Sequence, residues 1–179
     1  ITLVESEEIG IVGVGEATIP PIRTFNETLG LDEADFIKAT QGTFKLGIQF
    51  NDWDRIGSSY VHGFGVIGQD WEWLRCHHYW LKLNQMGQAA DFGNYSINTA
   101  AALRNKFMHA ATNMPESPLG HIAHAFHFDA GLYAKFLRQF AEARSVQRTE
   151  GKVVDVTLRA ADGFIESLTL DSGEVIEAD

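Results

Sequence analysis

Hydrophobic and polar positions alternate most cleanly over residues 43–50. Phe44, Leu46, Ile48 and Phe50 fall on one side of an extended chain and Lys45, Gly47 and Gln49 on the other, because successive strand side chains point to opposite faces. Upstream, residues 1–5 read as a strand that runs into a glycine-rich loop lasting to Ile19. Pro20 and Pro21 suit the first turn of a helix, and Gly30 suits the position just past its end. Asp32 can cap a second helix through about Ala39. Residues 51–76, rich in glycine and aromatic side chains, read as irregular loop over a binding region.

Downstream the pattern predicts helices over 77–87 and 98–110, a break at 113–118 and a strand over 122–128. Asp129 can cap a helix over 130–144, in which Leu132, Phe136, Leu137 and Phe140 share one face. The tail predicts strands at 152–158, 164–170 and 174–178, joined by turns at Asp162-Gly163 and Asp171-Ser172-Gly173. Early strand–helix alternation followed by late hairpins predicts an α/β dinucleotide-type fold with an added antiparallel part. The chain opens and closes within hydrophobic strands, which predicts an internal portion of a longer enzyme.

Composition narrows the classes. With 179 residues the chain can bury one core, and no apolar run approaches the roughly 20 residues of a membrane span. A net charge of −10 speaks against a nucleic-acid partner, since phosphate binding wants clustered Lys and Arg. Cys76 stands alone and cannot form an internal disulfide. With no secretory-type start, that predicts a cytoplasmic protein.

Three segments carry candidate chemistry. A hydrophobic strand ending in Glu5 suits the second strand of a Rossmann unit, whose acid accepts hydrogen bonds from a ribose; an ordinary strand end is the alternative. Glycines at alternate positions from Gly13 let backbone lie against a flat ring, or simply make a turn. Lys45 has room beside Gly47 and would be a desolvated, oriented cation with a lowered pKa. Alternation alone favours a solvated lysine on the outer face. His121, His124 and His127 invite a metal reading, but strand neighbours three apart face opposite ways and no cysteine or acidic partner sits at zinc-finger spacing. No metal is expected.

The string Gly15-Glu16-Ala17-Thr18-Ile19-Pro20-Pro21, followed by Phe44-Lys45-Leu46-Gly47-Ile48-Gln49-Phe50 and Asn51-Asp52-Trp53, resembles the flavin-dependent halogenases of the tryptophan type. The resemblance implies an α/β, FAD-binding Rossmann-like fold of the flavin monooxygenase type, with three layers and an added helical and loop substrate module. Within one such domain, residues 1–50 would hold the flavin loop and catalytic lysine. Residues 51–118 would form the substrate module, and 119–179 a helix with β-hairpins.

The resemblance also implies roles. Lys45 is the catalytic residue. Glu5, Ser6, Ile9, Gly15, Glu16, Ala17 and Val153 bind FAD, with Ala17 against the isoalloxazine, Glu16 holding the loop and the Val153 backbone at the adenine. His62 and Phe64, in Tyr60-Val61-His62-Gly63-Phe64-Gly65, sandwich an aromatic substrate; a core aromatic pair is the alternative. Reduced FAD from a separate flavin reductase, with oxygen and chloride or bromide, gives hypohalous acid, which Lys45 relays to tryptophan, indole or a similar small arene. A homodimer is compatible with this picture. The family's glycine fingerprint, its later Trp-x-Trp-x-Ile-Pro string and its assisting glutamate are not in the sequence, and Trp71-Glu72-Trp73 lacks the Ile-Pro ending. The segment from Trp53 to His62 is short for a dedicated free-tryptophan halogenase, which leaves a smaller, indole-like arene as an alternative to tryptophan. A flavin-dependent aromatic hydroxylase and a non-catalytic flavin- or aromatic-binding module are the competing expectations.

Overall fold

A computed structural model describes residues 1–11 and 16–178. Its elements are, in order, β1 (Thr2–Glu5), α1 (Pro21–Leu29), α2 (Glu33–Thr40), β2 (Thr43–Lys45), β3 (Gly47–Asn51) and β4 (Ser59–Gly63). There follow α3 (Cys76–Gln85), α4 (Ile97–Ala102), β5 (Ala125–His127), α5 (Ala130–Glu142), β6 (Gln147–Glu150), β7 (Val153–Leu158), β8 (Ile165–Leu170) and β9 (Val175–Glu177). They fall into two compact units, one of Ile1–Val14 with Ala130–Asp179 and one of Gly15–Asp129. Among the described residues no helix is long and apolar enough to cross a membrane.

In the first unit β1 pairs in parallel with β6, Glu5 lying opposite Glu150. Strand β6 reads Gln-Arg-Thr-Glu and shows no apolar alternation, so nothing local announces it. Strands β7, β8 and β9 form an antiparallel meander. The predicted turns are where expected, with Gly163 and Gly173 at φ +77° and +85°, a region that glycine enters without steric cost.

In the second unit both early helices obey their local signals. Pro21 occupies the first turn of α1 and Gly30 ends it in the left-handed conformation at φ +72°. The Asp32 carboxylate accepts hydrogen bonds from the Ala34 and Asp35 amides at the start of α2. The strand predicted over 43–50 is instead two strands that part company at Leu46. Strand β2 pairs antiparallel with β5, and β3 with β4. The Leu46 carbonyl, between them, accepts from the Phe64 amide at 2.8 Å and from Asn98 Nδ2 at 3.2 Å. At Gly47 the β4 backbone comes so close that an added Cβ would lie 2.5 Å from the His62 carbonyl oxygen.

Two further expectations are corrected. Residues 51–76 are not loop throughout, because β4 completes a hairpin with β3. The helix predicted over 98–110 ends at Ala102, where Lys106 N turns back to the Ala101 carbonyl and Asn105 takes φ +51°. Ser96 caps that short helix on the Thr99 amide. The core of this unit gathers Phe36, Leu46, Phe64, Ile122, Ala125, Phe126 and Phe128, all buried. Phe36 meets Phe126 edge-on at 4.9 Å, a favoured aromatic geometry.

Candidate active site

Lys45 closes β2, and the β2–β5 register decides where its side chain goes. Lys45 lies opposite Ala125, and Thr43 opposite His127, so these four share one face. The far edge of β5 is taken by residues 16–18: Thr18 N donates to the Phe126 carbonyl at 3.0 Å and Phe128 N to the Glu16 carbonyl at 2.9 Å. Ala17 bridges to His127 there. The lysine therefore crosses the small Ala125 methyl and donates from Nζ to the Thr18 carbonyl at 2.9 Å. Its Nζ also sits 5.6 Å from the centre of the Phe64 ring, within reach of a cation–π attraction.

The solvated-lysine alternative is thereby overturned, because Lys45 is only 8 % exposed. Burial lowers its pKa below the ordinary lysine value, since desolvation disfavours the charged form. Among the described residues no carboxylate pairs with it. Beside it opens a cavity of about 460 Å³ lined by Lys45, Gly47, Gln49, Val61, Lys106 and His127 together with Phe44 and Phe107, within the ~300–1,000 Å³ range of small-molecule sites. A larger cavity of about 690 Å³ lies elsewhere in this unit, around Gly68, Asp70, Cys76, His77 and His121. None of the residues singled out for flavin, substrate or catalysis lines it.

Of the two residues expected to flank a substrate, the structure brings Phe64 to the lysine. His62 is exposed on β4, opposite Ile48, and its neighbour Val61 lines the cavity in its place. Glu16 and Ala17 are exposed beside β5. Gly15, together with Val12, Gly13 and Val14, lies outside the described residues.

In the first unit Glu5 and Ser6 line a cavity of about 640 Å³ with Glu7, Gly10, Lys135 and Arg138. Arg148 Nε donates to Glu5 Oε1, and Arg138 Nη1 stands 3.5 Å from the same oxygen. Both guanidinium contacts fall on Oε1. A carboxylate at the C-terminal end of a parallel strand, beside two basic side chains in an open cavity, fits the ribose and phosphate end of a dinucleotide. Ile9 is exposed, and Val153 opposes Leu170 on β7; neither lines that cavity.

The tryptophan halogenase family model matches residues 1–179. The chain belongs to that family. It is similar to a flavin-dependent halogenase from Xanthomonas campestris, with 48% identity and a TM-score of 0.88 over 100% of this chain and 35% of that one. A flavin-dependent halogenase from Brevundimonas sp. BAL3 shows 46% identity and a TM-score of 0.87, over 99% of this chain and 35% of its own. A tryptophan 7-halogenase from Lentzea aerocolonigenes is 32% identical over 196 residues, 100% of this chain and 36% of that protein. The chain thus spans about a third of the length of the relatives it matches. Its fold class is the α/β, Rossmann-like one of the flavin-dependent halogenases.

Sequence reasoning missed several partners of this halogenase-family site. Thr18 acts through its carbonyl, Ala125 through being small, and His127 through register; only the β2–β5 pairing reveals them. It also missed what lies behind Phe44. Glu33 accepts or shares hydrogen bonds with His109 Nε2 at 2.7 Å and His124 Nε2 at 3.0 Å, with Arg23 Nε 3.7 Å away. The Phe44 ring stacks on Phe107 at 3.7 Å and meets both imidazoles edge-on. Burial pushes Glu33 up, but hydrogen bonds from His124 and His109 outweigh it and hold the carboxyl below its usual range. Burial lowers His124, against the opposing Glu33 bond. These three side chains could approach one ion, but the Arg23 cation at the same carboxylate suits a hydrogen-bonded clasp better. The suspected histidine series does not gather: His121 borders the larger cavity, His127 the Lys45 cavity, and only His124 joins Glu33.

Proposed function

We propose that the enzyme containing this chain is a flavin-dependent halogenase acting on a small electron-rich arene such as tryptophan or indole. The observation that carries this reading is the buried Lys45 amine, held on the Thr18 carbonyl and the Phe64 ring at the wall of a 460 Å³ cavity. Reduced FAD, supplied by a separate flavin reductase, would with oxygen oxidise chloride or bromide to hypohalous acid. Glu5 would hold a ribose hydroxyl through Oε2, with Ser6 beside it, and Ile9 and Val153 would border the adenosine. Gly15, Glu16 and Ala17 would lie against the isoalloxazine ring.

Lys45 would then donate a hydrogen bond to the oxygen of hypohalous acid and orient the halogen toward the ring. A lowered pKa makes it a readier donor to the departing oxygen than a surface lysine. Phe64 and His62 would flank the arene. Fixing oxidant and ring in one water-poor cavity favours substitution over damage to the protein itself. The lone cysteine and acidic surface suit a cytoplasmic enzyme.

The test uses the full-length enzyme with reductase, indole or tryptophan, and bromide. Halogenated product should require bromide, and Lys45→Ala should abolish it with FAD affinity unchanged. Halogenation by Lys45→Ala, or a hydroxylated product formed without bromide, would refute the reading.

A further inference from the structure

One wall of the cavity of about 460 Å³ is the chain that follows α4, which contributes Leu103, Asn105, Lys106 and Phe107. Asn105, at φ +51°, turns that chain out of the helix. Among the described residues, Phe107, Met108 and His109 then make no backbone hydrogen bond; such bonds resume at Ala110, whose carbonyl accepts from the Thr112 amide. Side chains therefore fix this span. Phe107 stacks on Phe44, the residue before Lys45, with ring centres 3.7 Å apart. His109 Nε2 meets Glu33 Oε1 at 2.7 Å. Stacked rings can slide past one another, whereas a hydrogen bond to a carboxylate is directional and roughly twice as strong as a neutral one. The second oxygen of Glu33 is held by His124 Nε2 at 3.0 Å, from a side chain buried just before β5. An ionised carboxylate only accepts, so both imidazoles donate from Nε2. The span is thus tied through Glu33 to the strand pair that carries Lys45, although neither Glu33 nor His109 lines the cavity.

We propose that Glu33 is a positioning residue that sets the width of the Lys45 cavity, and with it the size of arene the enzyme accepts. It acts through His109, which keeps the Phe107 wall closed on Phe44. The inference rests on the halogenase reading and deepens it, naming a bicyclic ring as the size that the closed wall favours. Without the Glu33 bond only the stack restrains the span, and the wall can draw back from Lys45. A wider cavity holds a bicycle less firmly and admits a tricycle better.

The test measures kcat/KM for bromination of indole and of carbazole, which carries one more fused benzene ring. It uses the full-length enzyme with reductase, FAD and bromide. The ratio of the two values does not depend on how much of the enzyme is folded, so a merely structural role leaves it unchanged. His109→Leu removes the bond at a side chain that is 61% exposed, which spares the core. It should shift the ratio toward carbazole about tenfold or more, the order of discrimination that a change in pocket size produces. The shift should come chiefly from a higher KM for indole, with FAD affinity unchanged. Glu33→Ala should do the same, and the double variant no more than either alone, because both remove one contact. Glu33→Gln should keep the wild-type ratio. Its carbonyl can accept from His124, and its amide can donate to His109 Nε2, whose exposed ring is free to take the other tautomer. An unmoved ratio in His109→Leu, additive shifts in the double variant, or a shift in Glu33→Gln as large as in Glu33→Ala each overturns the inference. Wild-type enzyme that brominates neither arene would instead sink the halogenase reading; calorimetric binding of indole and carbazole to the same variants still tests the wall, and equal affinity ratios throughout would overturn it.

Discussion

Lys45 reaches the Thr18 carbonyl at 2.9 Å by passing over Ala125, the residue directly opposite it in the β2–β5 register. The route exists because position 125 carries only a methyl and is fully buried. Ala125→Val keeps a residue that strands favour but fills that route. Overpacking of this kind costs roughly 1–3 kcal/mol, and displacing a catalytic group by about 1 Å costs on the order of 10²-fold in rate. The variant should fold by circular dichroism, melt at a lower temperature and lose about two orders of magnitude in halogenation.

Gly47 sits where β3 and β4 touch, and its missing side chain is a packing requirement rather than a conformational one. In Gly47→Ala the new methyl would meet backbone, the His62 carbonyl, at 2.5 Å. Backbone cannot swing aside as a side chain can. A loss of about 1–3 kcal/mol is expected, read as a lower midpoint in urea. A midpoint equal to wild type would show that the hairpin absorbs the methyl.

The clasp behind Phe44 makes stability depend on acidity. The His124 pKa is depressed in the fold, so the unfolded chain binds its proton first as pH falls. Its contribution is complete above the unfolded value of about 6.5 and is lost as pH drops from there toward the folded value. Glu33, also depressed, contributes above the usual carboxylate range and loses its share as pH falls through its folded value. Thermal midpoints should therefore decline in two stages on acidification. His124→Gln should shrink the upper stage, to which His127, also lowered by desolvation, contributes, and leave the lower one; an upper stage of undiminished size would show that His124 does not set it.

Glu5 should act on flavin binding and not on halogen transfer. A hydrogen bond to a charged group contributes about 1.5–3 kcal/mol, so Glu5→Gln should weaken FAD binding roughly tenfold or more by flavin fluorescence. Product formed per FAD-saturated enzyme should be unchanged. Lys45→Ala should show the reverse pattern.

Local signals were legible where local chemistry sets them. Pro21, Gly30 and Asp32 mark helix ends by their own backbone and side-chain properties, and the helices start and stop there. The glycines of the late turns behave likewise. What stayed hidden depends on partners remote in sequence. Alternation over 43–50 is real, yet the strand divides at Leu46 because Phe64 and Asn98 claim its carbonyl. Strand β6 exists because β1 lies beside it. The Lys45 side looks outward by periodicity but is covered by Ala125, Thr18 and Phe64, which pattern alone cannot bring together. The halogenase-like strings pointed to the lysine; its partners act through a carbonyl, a methyl and a register position, none of which a motif records.

The acceptor for Lys45 is a peptide oxygen, and no substitution at position 18 deletes a peptide oxygen. What can change is where residues 16–18 run along β5. A slip or tilt of that short segment would carry the amine with it, so the span proposed to lie against the flavin also sets the aim of the lysine. Tuning of this enzyme by mutation is then expected to come through residues that steer that span, such as Thr18, whose hydroxyl bonds the Phe126 backbone in both directions.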